Sequence, residues 1–132
     1  MIDYQNYNWI KERFLVADDD HSSTLLLEKI LTKTGASVLV ASNGQQALDI
    51  IKKELDISLA IIDINMPVLD GYEVIEQARE FRSDLIFIAC TADVVRVNSG
   101  KCIDLGFAAC ITKPFFPANL FSVLEEALIL RQ

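Results

Sequence analysis

Basic residues are in the minority in this chain. Lys and Arg number 12 against 19 Asp and Glu, with one His, for a formal net charge of −7. Phosphate backbones are bound by basic stripes, so direct contact with nucleic acid is not expected. A net negative protein suits a magnesium ion or a basic patch on a partner instead. No apolar stretch approaches the roughly 18 residues needed to cross a bilayer, and the N-terminus lacks a positively charged segment followed by an apolar core. Neither a membrane contact nor a secretory leader is expected, which leaves the cytoplasm as the default location. Cysteine is scarce: Cys90, Cys102 and Cys110 have no metal-ligand spacing and, being odd in number, cannot all pair. They read as small buried apolar residues held reduced in the cytosol. Repeats, low-complexity tracts and internal linkers are also absent.

What is present is a globular pattern. The 132 residues match one domain, 52% of them hydrophobic and 23% charged. Short apolar runs alternate with helical periodicities. Strands are expected at Phe14–Ala17, Ser37–Val40, Leu59–Ile62, Leu85–Ala89 and Ala108–Ile111, and helices at Ser22–Thr34, Gly44–Leu55, Tyr72–Phe81, Val94–Leu105 and Pro117–Leu130. Gly35 and Gly106 stand where left-handed helix ends are expected. Five strand–helix units imply an α/β fold, a parallel sheet with helices on both faces. Residues 1–11, with Tyr4, Tyr7 and Trp9, are expected to be an N-terminal extension or linker, and residues 12–132 the domain. The fourth helix carries Asn98-Ser99-Gly100 in its middle, and glycine there costs about 1 kcal/mol relative to alanine. It is expected to be locally weak. The last helix carries an apolar band (Leu120, Phe121, Val123, Leu124, Leu128, Ile129, Leu130) wider than one buried stripe requires. A partner or dimer face and plain packing against the sheet both account for it.

Chemistry concentrates at strand ends. The run Ser58-Leu59-Ala60-Ile61-Ile62 closes on Asp63 and continues Ile64-Asn65-Met66-Pro67-Val68-Leu69-Asp70-Gly71. The first strand closes on Asp18-Asp19-Asp20, the fourth on Thr91 and the fifth on Lys113. In a parallel sheet these ends share one edge. Carboxylates crowded there resist ionisation unless a cation compensates them, and magnesium, with its oxygen ligands, fits. Asp20 reads as a cap of the first helix, and Asp18 and Asp19 as ligands. Thr91 and Lys113 supply a hydroxyl and an ammonium for anionic oxygen. A phosphoryl group of about −2 charge on Asp63 would give the cation, Lys113 and Thr91 something to hold, and carboxylates are nucleophiles in aspartyl-phosphate chemistry.

From Phe14 to Leu130 the chain resembles the receiver domain of bacterial two-component response regulators. The resemblance rests on the acidic pair Asp18-Asp19, on Asp63-Ile64-Asn65-Met66-Pro67-Val68-Leu69-Asp70-Gly71, on Thr91-Ala92 and on Lys113-Pro114. It implies a flavodoxin-like, doubly wound (βα)5 fold with strand order 2-1-3-4-5. It implies that Asp63 takes a phosphoryl group from a histidine kinase or phosphotransfer protein. Asp19, Asp63 and the Asn65 backbone carbonyl would bind magnesium directly, and Asp18 through a water. Lys113 would contact the phosphoryl oxygens, its bond to Pro114 would be cis, and Thr91 would swing toward the phosphoryl group. Asn65 and Asp93 occupy positions that tune dephosphorylation. The segment Lys101-Cys102-Ile103-Asp104-Leu105-Gly106 looks like receivers attached to hybrid sensor histidine kinases.

One departure stands out. The family usually has Tyr or Phe three residues before the lysine, as the threonine's rotating partner; here the position is Cys110. The chemistry is expected to survive, and the relay from Thr91 to the output face to be altered. The chain ends about where the fifth helix should. Output is therefore expected either through protein contacts, an effector or a homodimer on the face of fourth helix, fifth strand and fifth helix, or through another domain outside this chain. His21 reads as a helix-start residue. A haloacid-dehalogenase-type phosphatase would want a second aspartate where Asn65 stands, and an FMN phosphate would meet an acidic loop. A receiver reduced to a docking module is opposed by the intact acidic pair, Asp63, Thr91 and Lys113.

Overall fold

Each apolar run becomes a buried strand, and each helical periodicity lies against it. The computed structural model describes residues 3–98 and 100–131. Its elements are β1 (Arg13–Ala17), α1 (His21–Thr32), β2 (Ser37–Ala41), α2 (Gly44–Lys53), β3 (Leu59–Ile62), α3 (Gly71–Ala78), β4 (Ile86–Thr91), α4 (Val94–Asn98), α5 (Lys101–Asp104), β5 (Ala109–Thr112) and α6 (Pro117–Arg131). The five strands form one parallel sheet in the order β2-β1-β3-β4-β5, with Ala17 opposite Ile62 and Thr91 opposite Thr112. The expected doubly wound topology is therefore present.

Side chains alternate across a strand, and the core splits accordingly. On one face Leu15, Ala60, Ile62, Phe87 and Ala89 pack with Leu48 and Ile51 of α2, Val74 and Ile75 of α3, and Cys102 of α5. On the other, Phe14, Val16, Ile61, Ile88 and Cys90 pack with Leu27 and Leu31 of α1 and Leu120, Phe121 and Leu124 of α6. The wide apolar band of α6 is explained here. Its residues Leu120, Phe121, Leu124 and Leu128 are buried, and the N-terminal segment covers a second side of the helix. Tyr4 and Tyr7 meet the Phe121 ring edge-on at centroid distances of 5.5 and 5.1 Å. Trp9, buried between Phe14 and Phe121, donates its backbone N–H to Thr34 O at 2.9 Å. Only Ile129 and Leu130 of the band stand well exposed.

Two expectations are corrected. The fourth helix is not continuous: Gly100, with φ of +79°, separates α4 from α5. Left-handed backbone suits glycine and ends a right-handed helix, so the residue expected to weaken the helix divides it. Ser99, part of the same expectation, lies outside the described residues. The cysteines are not all reduced: Cys102 and Cys110, with Cα atoms 6.7 Å apart, form a disulfide, and only Cys90 is free. The spacing along the chain concealed this, because the turn after α5 brings β5 beneath the helix. Gly35 and Gly106 take positive φ as expected.

Candidate functional site

The phosphoacceptor candidate is held by the loop after β3. Asp63 donates its backbone N–H to Ala17 O at 2.9 Å, which fastens β3 to β1 at the edge where both end. Its carboxylate Oδ1 accepts from the Asn65 N–H at 3.0 Å, a local turn that holds the side chain in place. Further on, Leu69 N–H donates to Pro67 O at 2.9 Å around Val68, whose φ is +73°. That is a γ-turn with a strained centre. It reverses the chain so that Asp70 caps α3, with a reciprocal Glu73 contact completing a capping box. Gly71 then passes close beneath the acceptor: a Cβ there would lie 2.8 Å from the Asp63 carbonyl oxygen.

Asp18, Asp19 and Asp63 converge as the strand ends imply. Each offers one carboxylate oxygen, and the three atoms lie within 4.8 Å of one another. Asp18 and Asp63 are 3% and 8% exposed, whereas Asp19 faces solvent. Asp20 takes no part and caps α1, accepting from the Ser22 N–H at 3.0 Å. His21 is the first residue of that helix, as expected. Lys113, following β5, donates from Nζ to Asp18 Oδ2 and, at 3.1 Å, to Asp63 Oδ2. The Lys113–Pro114 bond is cis.

One ammonium serves two buried carboxylates, and the titration behaviour follows. Burial, helped by the Asp63 charge, pushes the Asp18 carboxyl above its ordinary value despite the Lys113 hydrogen bond. Burial pulls the Lys113 ammonium down, but the Asp18 hydrogen bond and the Asp63 charge outweigh it and the net shift is upward. The cluster is short of positive charge. A hard divalent cation with oxygen ligands fits the donor set, Asp19 supplying the solvent-facing ligand.

Thr91 is placed differently from the carboxylates. It is buried at the end of β4, its carbonyl accepts from the Lys113 N–H at 2.9 Å, and its hydroxyl accepts from the Asp93 N–H at 3.2 Å. Its hydroxyl is thus engaged with the start of α4.

A further network went unread in the sequence, apart from the positions of Asn65 and Asp93. The Asp93 carboxylate accepts from Asn65 Nδ2 at 3.2 Å and from the Arg96 N–H at 3.1 Å. These bonds, the Asn65 one foremost, hold the Asp93 carboxyl below its usual range. Arg96 Nη1 donates to Asn65 Oδ1 at 2.7 Å and Nη2 to Asp70 Oδ2 at 3.4 Å, with the guanidinium 4.7 Å from the Tyr72 ring centroid. Arg96 therefore latches α4 to the acceptor loop. No sequence motif marks it, because its partners lie 26 and 31 residues away. Phe107 is buried against Tyr72 and Phe87, so it does not stand in for the missing aromatic at Cys110.

The comparisons agree with this geometry. The family model of the response regulator receiver domain matches residues 14–125. A CheY-like response regulator receiver domain protein from Methanospirillum hungatei superposes with a TM-score of 0.85 at 30% identity, over 91% of this chain and 95% of that one. The response regulator TrrA from Thermotoga maritima, solved in complex with Mg2+-BeF, gives a TM-score of 0.80 at 27% identity over 88% and 98%. "Probable transcriptional regulator ycf27" of Porphyra purpurea is 38% identical over 118 residues, 89% of this chain and 48% of its own length. The chain thus spans about half the length of that relative. With the sheet order, the acidic cluster and the lysine in place, the chain belongs to the response regulator receiver domain family.

Proposed function

We propose that Asp63 is the phosphoacceptor of this receiver, charged by a histidine kinase or a phosphotransfer protein. The observation that carries the reading is the trio of carboxylate oxygens within 4.8 Å, two of whose residues, Asp18 and Asp63, are bridged by Lys113. An Asp63 oxygen forms a bond to phosphorus while the donor's P–N bond breaks, and the imidazole leaves with the electron pair of that bond. The product is an acyl phosphate. Asp19, Asp63 and the Asn65 backbone carbonyl, with Asp18 through a water, would hold magnesium, which would supply charge neutralisation for the transferring group. Lys113 moves from its carboxylate partners to the phosphoryl oxygens, and Thr91 exchanges the Asp93 N–H for the same oxygens. Transfer of this kind depends on positioning and electrostatics, which a rigid strand edge provides.

The domain promotes its own phosphorylation and dephosphorylation but has no turnover substrate. Residues 12–132 form the receiver, and residues 1–11 serve as an extension or linker. Output runs through protein contact on the face of α4, α5, β5 and α6, where Val95, Ile103, Ile129 and Leu130 are exposed. No described helix is long and apolar enough to cross a membrane, and a cytoplasmic location is proposed with the kinase partner.

The test is incubation with magnesium and a small acyl phosphate, followed by intact mass measurement. One phosphoryl adduct, absent in Asp63→Ala, is expected. No adduct, or one that persists in the variant, overturns the reading. Sustained turnover of phosphomonoesters would make the protein a phosphatase instead.

A further inference from the structure

The cystine joins a four-residue helix, α5, to the edge strand β5. Within α5, Cys102 is the one buried residue; Lys101, Ile103 and Asp104 face solvent. The helix has four residues, begins at left-handed Gly100 and lacks a side-chain cap. Four residues cannot sustain a helix on their own hydrogen bonds, so α5 leans on its neighbours, and the Cys102 sulfur ties it covalently to β5. The other end of that tie is Cys110 in β5, paired with Ala89 of β4. Two residues along the same strands, Thr112 pairs with Thr91. From Thr91 the bonds run outward through the Asp93 N–H, the Asp93 carboxylate and the Arg96 N–H into α4. The disulfide therefore closes the far side of the segment whose near side hangs from Thr91.

The pair is also chemically isolated. Cys90, the remaining thiol, belongs to the core on the opposite face of the sheet, while Cys102 and Cys110 share the other core. No reshuffling partner is within reach without unfolding. Cys110 is half-buried and Cys102 fully buried, which favours attack at the Cys110 sulfur. Disulfides are rare in a reducing cytosol, and those found there are mostly redox-sensing or catalytic.

We propose that Cys102–Cys110 is a redox modification site that gates the output face, oxidised when α5 is tied to β5 and released by a thioredoxin-class dithiol. A thiolate of the dithiol attacks the Cys110 sulfur; the S–S bond breaks, and Cys102 leaves as a thiolate and takes a proton. The second thiol of the reductant then attacks its own sulfur in the mixed disulfide, freeing Cys110 as a thiol. Two electrons and two protons pass to the receiver, and the reductant ends as a disulfide. Reduced, α5 loses its covalent tie to β5 and keeps its non-covalent packing, Cys102 in the core and Lys101 over the Tyr72 ring at 5.0 Å. The α4–α5 segment is then free to follow Thr91 when Asp63 is phosphorylated. Cysteine at the strand position where an aromatic is usual thus exchanges a steric coupling for a covalent one. The gating part rests on the phosphoacceptor reading above.

The test uses the intact chain, oxidised and after reduction with dithiothreitol or a thioredoxin-class protein, each with and without acyl phosphate and magnesium. Alkylation followed by mass measurement counts thiols, and hydrogen exchange reads α4, α5 and β5. Without donor, reduction is expected to expose two further thiols and to speed exchange in α5 by at least about tenfold, since a closing cross-link and its loop entropy are lost. With donor, the phosphorylation-dependent change in α4–α5 exchange is expected to be large only in reduced protein. Cys102→Ser/Cys110→Ser should behave as reduced protein under both conditions, and Cys90→Ser should respond as the parent does. Equal α5 exchange in the oxidised and reduced states, a pair that does not re-form on oxidation, or a redox response persisting in the double variant overturns the proposal. An adduct missing in both redox states sinks the phosphoacceptor reading and the gating with it, while α5 exchange without donor still decides the tether.

Discussion

The edge that carries Asp63 and the face that carries α4, α5 and β5 are built on opposite plans. At the edge, three strands of one sheet deliver charged groups, β1 and β3 from buried backbone and β5 from half-buried backbone, and Lys113 spans two of the carboxylates. On the face, two short helices are separated by a left-handed glycine, with a disulfide, the Arg96 latch and the Asp93 bonds among their ties. The first arrangement pre-organises chemistry, which gains from immobility. The second stores alternative positions, which a switch requires. A receiver needs both, and keeping them apart lets one move without spoiling the other.

The division breaks most severely where the chemistry is removed. Lys113→Ala should slow adduct formation from a small phosphodonor by about a hundredfold, the usual loss for one charge-stabilising group. Hydrogen exchange in α4 and α5 of the unphosphorylated protein should remain as in the parent; a faster α5 would show that the edge and the face are not separate. Gly71→Ala attacks the packing under the acceptor, since its Cβ would sit 2.8 Å from the Asp63 carbonyl and the Ile64 Cα. A destabilisation of about 1–3 kcal/mol, typical of overpacking, should appear in the urea midpoint together with slower phosphorylation. Normal phosphorylation at lowered stability would show that the loop relaxes without moving Asp63.

Cys90 sharpens the comparison through pH. Burial pushes its thiol from the ordinary 9.0 up to about 12, because the sheet interior disfavours a thiolate. The unfolded chain releases this proton from about pH 9 and the folded chain only near pH 12. The stabilisation is therefore complete below pH 9 and is lost as pH rises toward 12, by about 1.4 kcal/mol per pH unit. Urea midpoints across that range should fall more steeply in the parent than in Cys90→Ala, and parallel slopes would show that the site under β4 admits water. The smallest effect belongs to Arg96→Gln. Its pair with Asp70 is partly exposed at 3.4 Å, so stability should change by less than about 1 kcal/mol. The lifetime of the Asp63 adduct should change severalfold, because Arg96 holds Asn65 beside the acceptor. An unchanged lifetime would make the latch a feature of the face alone.

Much of the edge is legible in the sequence. Asp18, Asp19, Asp63 and Lys113 each close an apolar run, and a parallel sheet brings such ends together. The role of Asp20 as a cap and the left-handed Gly35 and Gly106 were readable for the same reason, since each is a local demand on backbone geometry. The face was not legible. Gly100 marked weakness but not a break, because a helix with good partners carries a glycine at about 1 kcal/mol. Arg96 met Asn65 and Asp70 across a loop whose shape depends on the γ-turn at Val68. The width of the α6 band became intelligible only with Tyr4, Tyr7 and Trp9 placed against Phe121.

The cysteines mark the boundary between the two kinds of knowledge. Periodicity and strand endings, which are local, determined by themselves the alternating α/β order, the two-faced core and the converging acidic site. Which cysteine meets which depends on how far α5 turns over β5, a distance of a few ångströms set by packing between elements and recorded nowhere in the spacing. Only the tertiary structure could decide that Cys110 stands bonded to Cys102, and that the usual aromatic's place is taken by a covalent tie.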